Sequence, residues 1–167
     1  MNKTIVLAVD VAHHSPERNV ARAVEMTRDL AHDTGDRVIV LHVHEFAVGR
    51  FGRMQVDCHE EEGEKLVADI VAGLKDNGIN AEGAIREADY GHVARQILHV
   101  ADEYDPRILV LGASSRTDVS LVPFGSVAHR LLHISTRPVL IVPRGADAAA
   151  APETADAAAA AASTRSS

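Results

Sequence analysis

Residues 108–126 read ILVLGASSRTDVSLVPFGS. Four consecutive aliphatic residues, Ile108 to Leu111, stop at Gly112. A polar loop follows, and Gly125-Ser126 then opens a segment whose apolar residues Val127, Ala128, Leu131 and Leu132 recur at helical spacing. A short, unbroken apolar run between turn signals suits a strand buried on both faces. The loop and helix start that follow have the parts of an anion site. Amides at a helix start have no intrahelical partner and point at a ligand, and glycine lets the backbone come close. The reading is strand, loop and helix, with the phosphates of a nucleotide held at the loop.

The rest of the chain repeats this alternation. Thr4 to Val9 reads as a buried strand ending at Asp10. Ser15-Pro16-Glu17 has the order of a helix start: N-cap serine, proline at the first helical position, an acid in the first turn. The helix carries Val20, Val24, Thr27 and Ala31 on one face and stops at Gly35. A second strand spans 37–44. An acidic helix start near 57–62 leads to the stripe Leu66, Val67, Ile70, Val71 and Leu74, closed by Asn77-Gly78. A weaker, glycine-interrupted strand over 79–86 suits a sheet edge, and Asp89 is positioned to cap a third helix bearing Val93, Ile97, Leu98 and Ala101. The last strand spans 138–142. The order β-α-β-α-β-α-β-α-β predicts one doubly wound α/β domain, a five-stranded parallel sheet with helices on both faces, over residues 1–144. Residues 145–167, rich in Ala, Ser and Thr with no apolar face, are expected to be a flexible tail.

Composition narrows the function. The chain has 167 residues, one domain's worth, with 46% hydrophobic residues but only 3% aromatic and no Trp. The core is therefore aliphatic, and stacking platforms for single-stranded nucleic acid are lacking. A formal net charge of -7 without a compensating basic run disfavours DNA or RNA. No run approaches a membrane span, and no signal peptide is visible. The single cysteine, Cys58, cannot form an internal disulfide, which fits a cytoplasmic protein. Its acidic neighbourhood argues against a reactive thiol.

Several pieces in order resemble the universal stress protein family: the opening IVLAVD, the strand VIVLHVHE, the closing RPVLIVP and the loop itself. The family's loop pattern is Gly, two residues, Gly, nine residues, Gly, then Ser or Thr. This chain has Gly112, two residues, Ser115, nine residues and Gly125-Ser126, so a serine stands where the family has its second glycine. If that position requires a positive φ, serine strains the loop; if it requires only a small residue, the hydroxyl is one more donor to phosphate. The resemblance implies strand order 3-2-1-4-5 and ATP or a related adenine nucleotide as ligand. Asp10 would face the ribose or adenine end, and Val43 would offer backbone groups to the adenine edge. Gly112, Ser115 and Arg116 would border the ribose and phosphates, and Gly125, Ser126 and Val127 would bind the phosphate oxygens. Mg²⁺ or Mn²⁺ would bridge the phosphates, and the last strand, Val139 to Val142, would pair in a homodimer. The family also implies an alternative: a dimeric interaction module of the same fold that binds no nucleotide.

Other motifs carry less. No Gly-Lys-Ser/Thr occurs, so P-loop hydrolysis lacks its residues. No nucleophile elbow surrounds Ser114 and Ser115, and no general base is evident, so an enzyme is not expected beyond slow ATP hydrolysis. Ten histidines invite a metal. His42 and His44 share a strand face near His13-His14, where polar lining or surface is the plainer expectation than zinc. His129 and His133, four apart on a helix, have a spacing that permits metal pairing and equally a solvated face. His32, His59, His92 and His99 read as surface positions.

Overall fold

The computed structural model describes residues 3–11, 16–49, 52–55, 60–113 and 125–143. The elements are β1 (Thr4–Val9), α1 (Pro16–Thr34), β2 (Arg37–Gly49), β3 (Gly52–Gln55), α2 (Glu60–Asp76), β4 (Ala81–Asp89), α3 (Val93–Tyr104), β5 (Ile108–Gly112), α4 (Ser126–Ile134) and β6 (Val139–Val142). The 145–167 tail, Ser15 and Cys58 lie outside the described residues.

Five strands run parallel in the order β4-β2-β1-β5-β6, which is the expected 3-2-1-4-5. The sheet also has a sixth member that the sequence reading did not include. β2 continues past His44 to Gly49, and β3 folds back antiparallel on that extension, pairing Phe46 with Gln55 and Gly49 with Gly52.

The pleat sorts side chains strictly. On one face, Ile5, Leu7, Val38, Val40 and Val110 pack against Val67 and Leu74 of α2 and Ala23 and Ala31 of α1. On the other, Val6, Ile39, Leu41, Leu109 and Leu111 pack against Ala94, Ile97 and Val100 of α3 and Leu131 of α4. β1, β2 and β5 are covered on both faces, which is why their sequences are unbroken aliphatic runs. Burying each of these Leu, Ile or Val side chains is worth about 1.5–3 kcal/mol. β4 and β6 are the parallel edges, and Val139, Leu140 and Ile141 of β6 are only half-buried.

Local signals set the helix ends. Gly35 at φ 70° and Gly78 at φ 76° take the left-handed conformation that closes α1 and α2. α3 ends at Asp105, a non-glycine residue at φ 45°, where Pro106 prevents continuation. Asp89 does not cap α3 as expected. It is the last residue of β4, and His92 occupies the N-cap without a side-chain hydrogen bond.

The amino ends of the strands are tied by side chains. The buried Asp36 carboxylate accepts the Lys3 backbone N–H at 2.8 Å and the Arg107 guanidinium at 3.0 Å, joining the starts of β1, β2 and β5. Burial alone would raise the Asp36 pKa. Hydrogen bonds from Arg107, Lys3 and Thr34, with the nearby positive charge, outweigh it and hold the carboxyl below its ordinary value. Arg37 donates to the Thr4 hydroxyl at 2.9 Å and lies 5.6 Å from the Tyr104 ring centre. Arg137 donates to Asp102 and Asp105 at 2.9 and 3.2 Å, tying the approach to β6 to the end of α3.

Candidate functional site

The sheet topology places the reversal of strand order that the sequence left open. α1 leaves β1 toward β2 across one face, and α4 leaves β5 toward β6 across the other. The switch point therefore lies between β1 and β5, the position where open α/β sheets bind ligands beyond their carboxyl ends. Ala8 pairs with Leu111 and Val9 with His42, so Asp10 and Gly112 lie at the carboxyl ends of β1 and β5, and Val43 lies level with them on β2, which runs on to Gly49. Asp10 is exposed there. Val43 is the first β2 residue beyond the last β1 pair, and its side chain joins Leu111 and Val127 in the core of the α3/α4 face.

The start of α4 is brought to the same edge by the β5-loop-α4 connection. Gly125 is its N-cap, at φ 89° and ψ 157°, and its carbonyl accepts the His129 N–H at 3.0 Å. A positive φ here demands glycine, because a Cβ would strain the backbone. Among the described residues no side chain caps this helix, so the amides of Ser126 and Val127 in its first turn are available to an anion. Ser126 is exposed and Val127 half-buried. Six of the eight expected residues thus share one edge. Ser115 and Arg116, with Ser114, lie outside the described residues.

The sequence reading put His42 and His44 on one strand face as polar lining or surface, and the structure buries the pair on β2. His42 and His44 are not surface groups: their relative exposures are 5% and 3%. They continue the inward row of Val38 and Val40, and this register was the signal available. The Val9 carbonyl can only accept, so His42 Nδ1 carries the proton in their 3.0 Å contact. The two rings meet edge to face with centres 4.8 Å apart. His44 Nε2 has no hydrogen-bond partner among the described residues. Gly63 of α2 lies against both rings, and a Cβ there would stand 2.5 Å from His42 Cδ2 and Nε2 and 3.3 Å from His44 Cε1. A glycine inside a helix signals a packing reason without saying what it packs against.

His32, His92 and His99 are exposed as expected, while His13, His14 and His59 lie outside the described residues. Among the described residues no three His, Cys, Asp or Glu side chains cluster for a metal ion. An open polar groove lined by Asp89, His92, Arg95 and His99 lies beside β4, at the far edge from the switch point.

The universal stress protein family model matches residues 1–143. This chain belongs to the universal stress protein family. It is 27% identical to the universal stress protein YxiE of Bacillus subtilis over 135 residues, covering 73% of this chain and 89% of YxiE. A universal stress protein of Mycobacterium tuberculosis is 33% identical over 75 residues, 45% of this chain; the match spans only 26% of that relative's length. A universal stress protein from Archaeoglobus fulgidus, solved in complex with dAMP, shares the fold with a TM-score of 0.60 at 22% identity. The likeness covers 83% of this chain and 96% of that one. Among the described residues, no helix is long and apolar enough to cross a membrane.

Proposed function

We propose that this universal stress protein binds an adenine nucleotide, ATP or a close relative, at the carboxyl edge between β1 and β5. It acts there as a regulatory cytoplasmic protein rather than a strong catalyst. The observation that carries the reading is Gly125. Its positive φ opens a helix at the switch point that no side chain caps among the described residues, where a phosphate gains backbone amides and the helix dipole. The dAMP complex of the Archaeoglobus relative supports adenine as the base. Asp10 and the backbone of Val43 would hold the nucleoside end, Gly112, Ser115 and Arg116 the ribose and phosphates, and Ser126 and Val127 the phosphate oxygens. Mg²⁺ or Mn²⁺ would bridge phosphates rather than sit in a protein cage.

Calorimetry with ATP and Mg²⁺ tests this, with binding expected at or below millimolar nucleotide and absence of heat counting against it. Gly125→Val is expected to abolish binding while leaving the fold intact.

Ser115 favours a second reading, a homodimeric interaction module with an empty site. β6 is an edge strand whose half-buried Val139, Leu140 and Ile141 would be covered by a second copy. Mass spectrometry of denatured protein separates the two readings, since copurified nucleotide belongs only to the first. A monomeric mass in light scattering would count against the dimer in either.

A further inference from the structure

We propose that His129 and His133 chelate one Zn²⁺ ion on the exposed face of α4. This site is separate from the nucleotide edge and independent of whether a nucleotide binds. Both side chains are exposed, one helical turn apart, with their Nε2 atoms 3.3 Å from each other. The ring centres are 4.6 Å apart and the planes cross at 67°, so the rings lean together at the two nitrogens that would act as ligands.

The separation is compatible with a chelate. Two imidazole nitrogens, each about 2.05 Å from a shared ion and 3.3 Å apart, subtend about 107° at it. That is close to the tetrahedral angle Zn²⁺ adopts, so small side-chain rotations bring both nitrogens onto one ion. In the metal-free pair one Nε2–H faces the other Nε2. On binding, that proton moves to Nδ1 of its own ring, both rings stay neutral, and both Nε2 lone pairs go to the metal. Water fills the two remaining positions, because no third protein ligand clusters there among the described residues.

The setting tolerates the charge. His133 lies in the last turn of α4, where the helix dipole favours a cation. Arg130, between the two histidines in sequence, reaches away to the Gly91 carbonyl at 2.6 Å.

The test is calorimetric titration of Zn²⁺ into the nucleotide-free full chain and three variants: His129→Ala, His133→Ala, and His133→Ala combined with Ile134→His. The last keeps all ten histidines but moves one off the face shared with His129. The positions are exposed, so the variants keep the fold. The expected result is one Zn²⁺ site in the wild type that weakens about tenfold or more in all three, since each loses the second tethered ligand. Unchanged affinity in any of them overturns the assignment. Mg²⁺, which prefers oxygen ligands, is expected to give the same trace for wild type and variants; a Mg²⁺ response lost with the histidines would also overturn it.

Discussion

At the amino ends of the strands, Asp36 gathers Lys3 and Arg107, Arg37 reaches Thr4 and Tyr104, and Arg137 holds Asp102 and Asp105. At the carboxyl ends, the corresponding places are taken by Gly112 at the end of β5, Gly125 at the start of α4 and the tightly packed histidines of β2. One end is joined by long side chains that satisfy one another; the other, among the described residues, turns on glycine backbone at Gly112 and Gly125. A ligand entering the amino end would have to break ion pairs, while one entering the carboxyl end meets a helix start that no side chain caps among the described residues. The difference separates residues whose loss should reduce stability from residues whose loss should reduce binding.

Gly125→Val is the strongest challenge to that separation. Its expected effect is a loss of nucleotide affinity of about 100-fold or more, because the strained φ displaces the amides that hold phosphate. Thermal unfolding should show a loss of only about 1–3 kcal/mol. If binding survives, the carboxyl edge is not where the ligand sits. Gly63→Val tests the packed side of the same edge. The new side chain meets a histidine ring that its bond to Val9 prevents from moving aside, so denaturant unfolding should show about 2–3 kcal/mol of destabilisation.

Asp36→Asn probes the opposite end, with about 2 kcal/mol lost at neutral pH and nucleotide affinity unchanged. The sign of its pH dependence follows from the pKa. The folded-state value lies below the ordinary 3.8, so the contribution is complete above that value. It is lost as pH falls through the lower, folded-state pKa. In Asp36→Asn, chemical denaturation should therefore show a flatter loss of stability below pH 4 than in the wild type.

The two ends were also unequally legible in the sequence. Strands covered on both faces announce themselves, so the runs around Val6, Ile39 and Val110 carried the fold, and the family resemblance supplied the strand order. Gly112, Gly125 and Ser126 stood out by their joint spacing, since either glycine alone could merely end a strand or start a helix. β3 was not: Gly52-Arg53-Met54-Gln55 has no apolar alternation and forms only because β2 extends far enough to pair with it. His42 and His44 were placed on one strand face, but that face was read as polar lining or surface and not as the continuation of the buried row of Val38 and Val40. The Asp36 clasp escaped because its partners, Lys3 and Arg107, are 33 and 71 residues away, and only the parallel pairing brings three strand starts together.

The smallest expected effect sharpens what kind of tie each amino-end contact is. Arg137 bridges two carboxylates, but their side chains are 72% and 91% exposed. Water and salt screen such a pair, so Arg137→Ala should cost less than about 1 kcal/mol. Asp36 differs because its side chain is 3% exposed, and Asp36→Asn takes the negative charge away from the Arg107 guanidinium at a position that water and salt screen less. Urea unfolding at low and high salt separates the two. The Arg137→Ala effect should shrink toward zero as salt rises, while the Asp36→Asn effect persists. Equal salt sensitivity would mean that the amino end is held by surface charge in general and not by the buried carboxylate where β1, β2 and β5 begin.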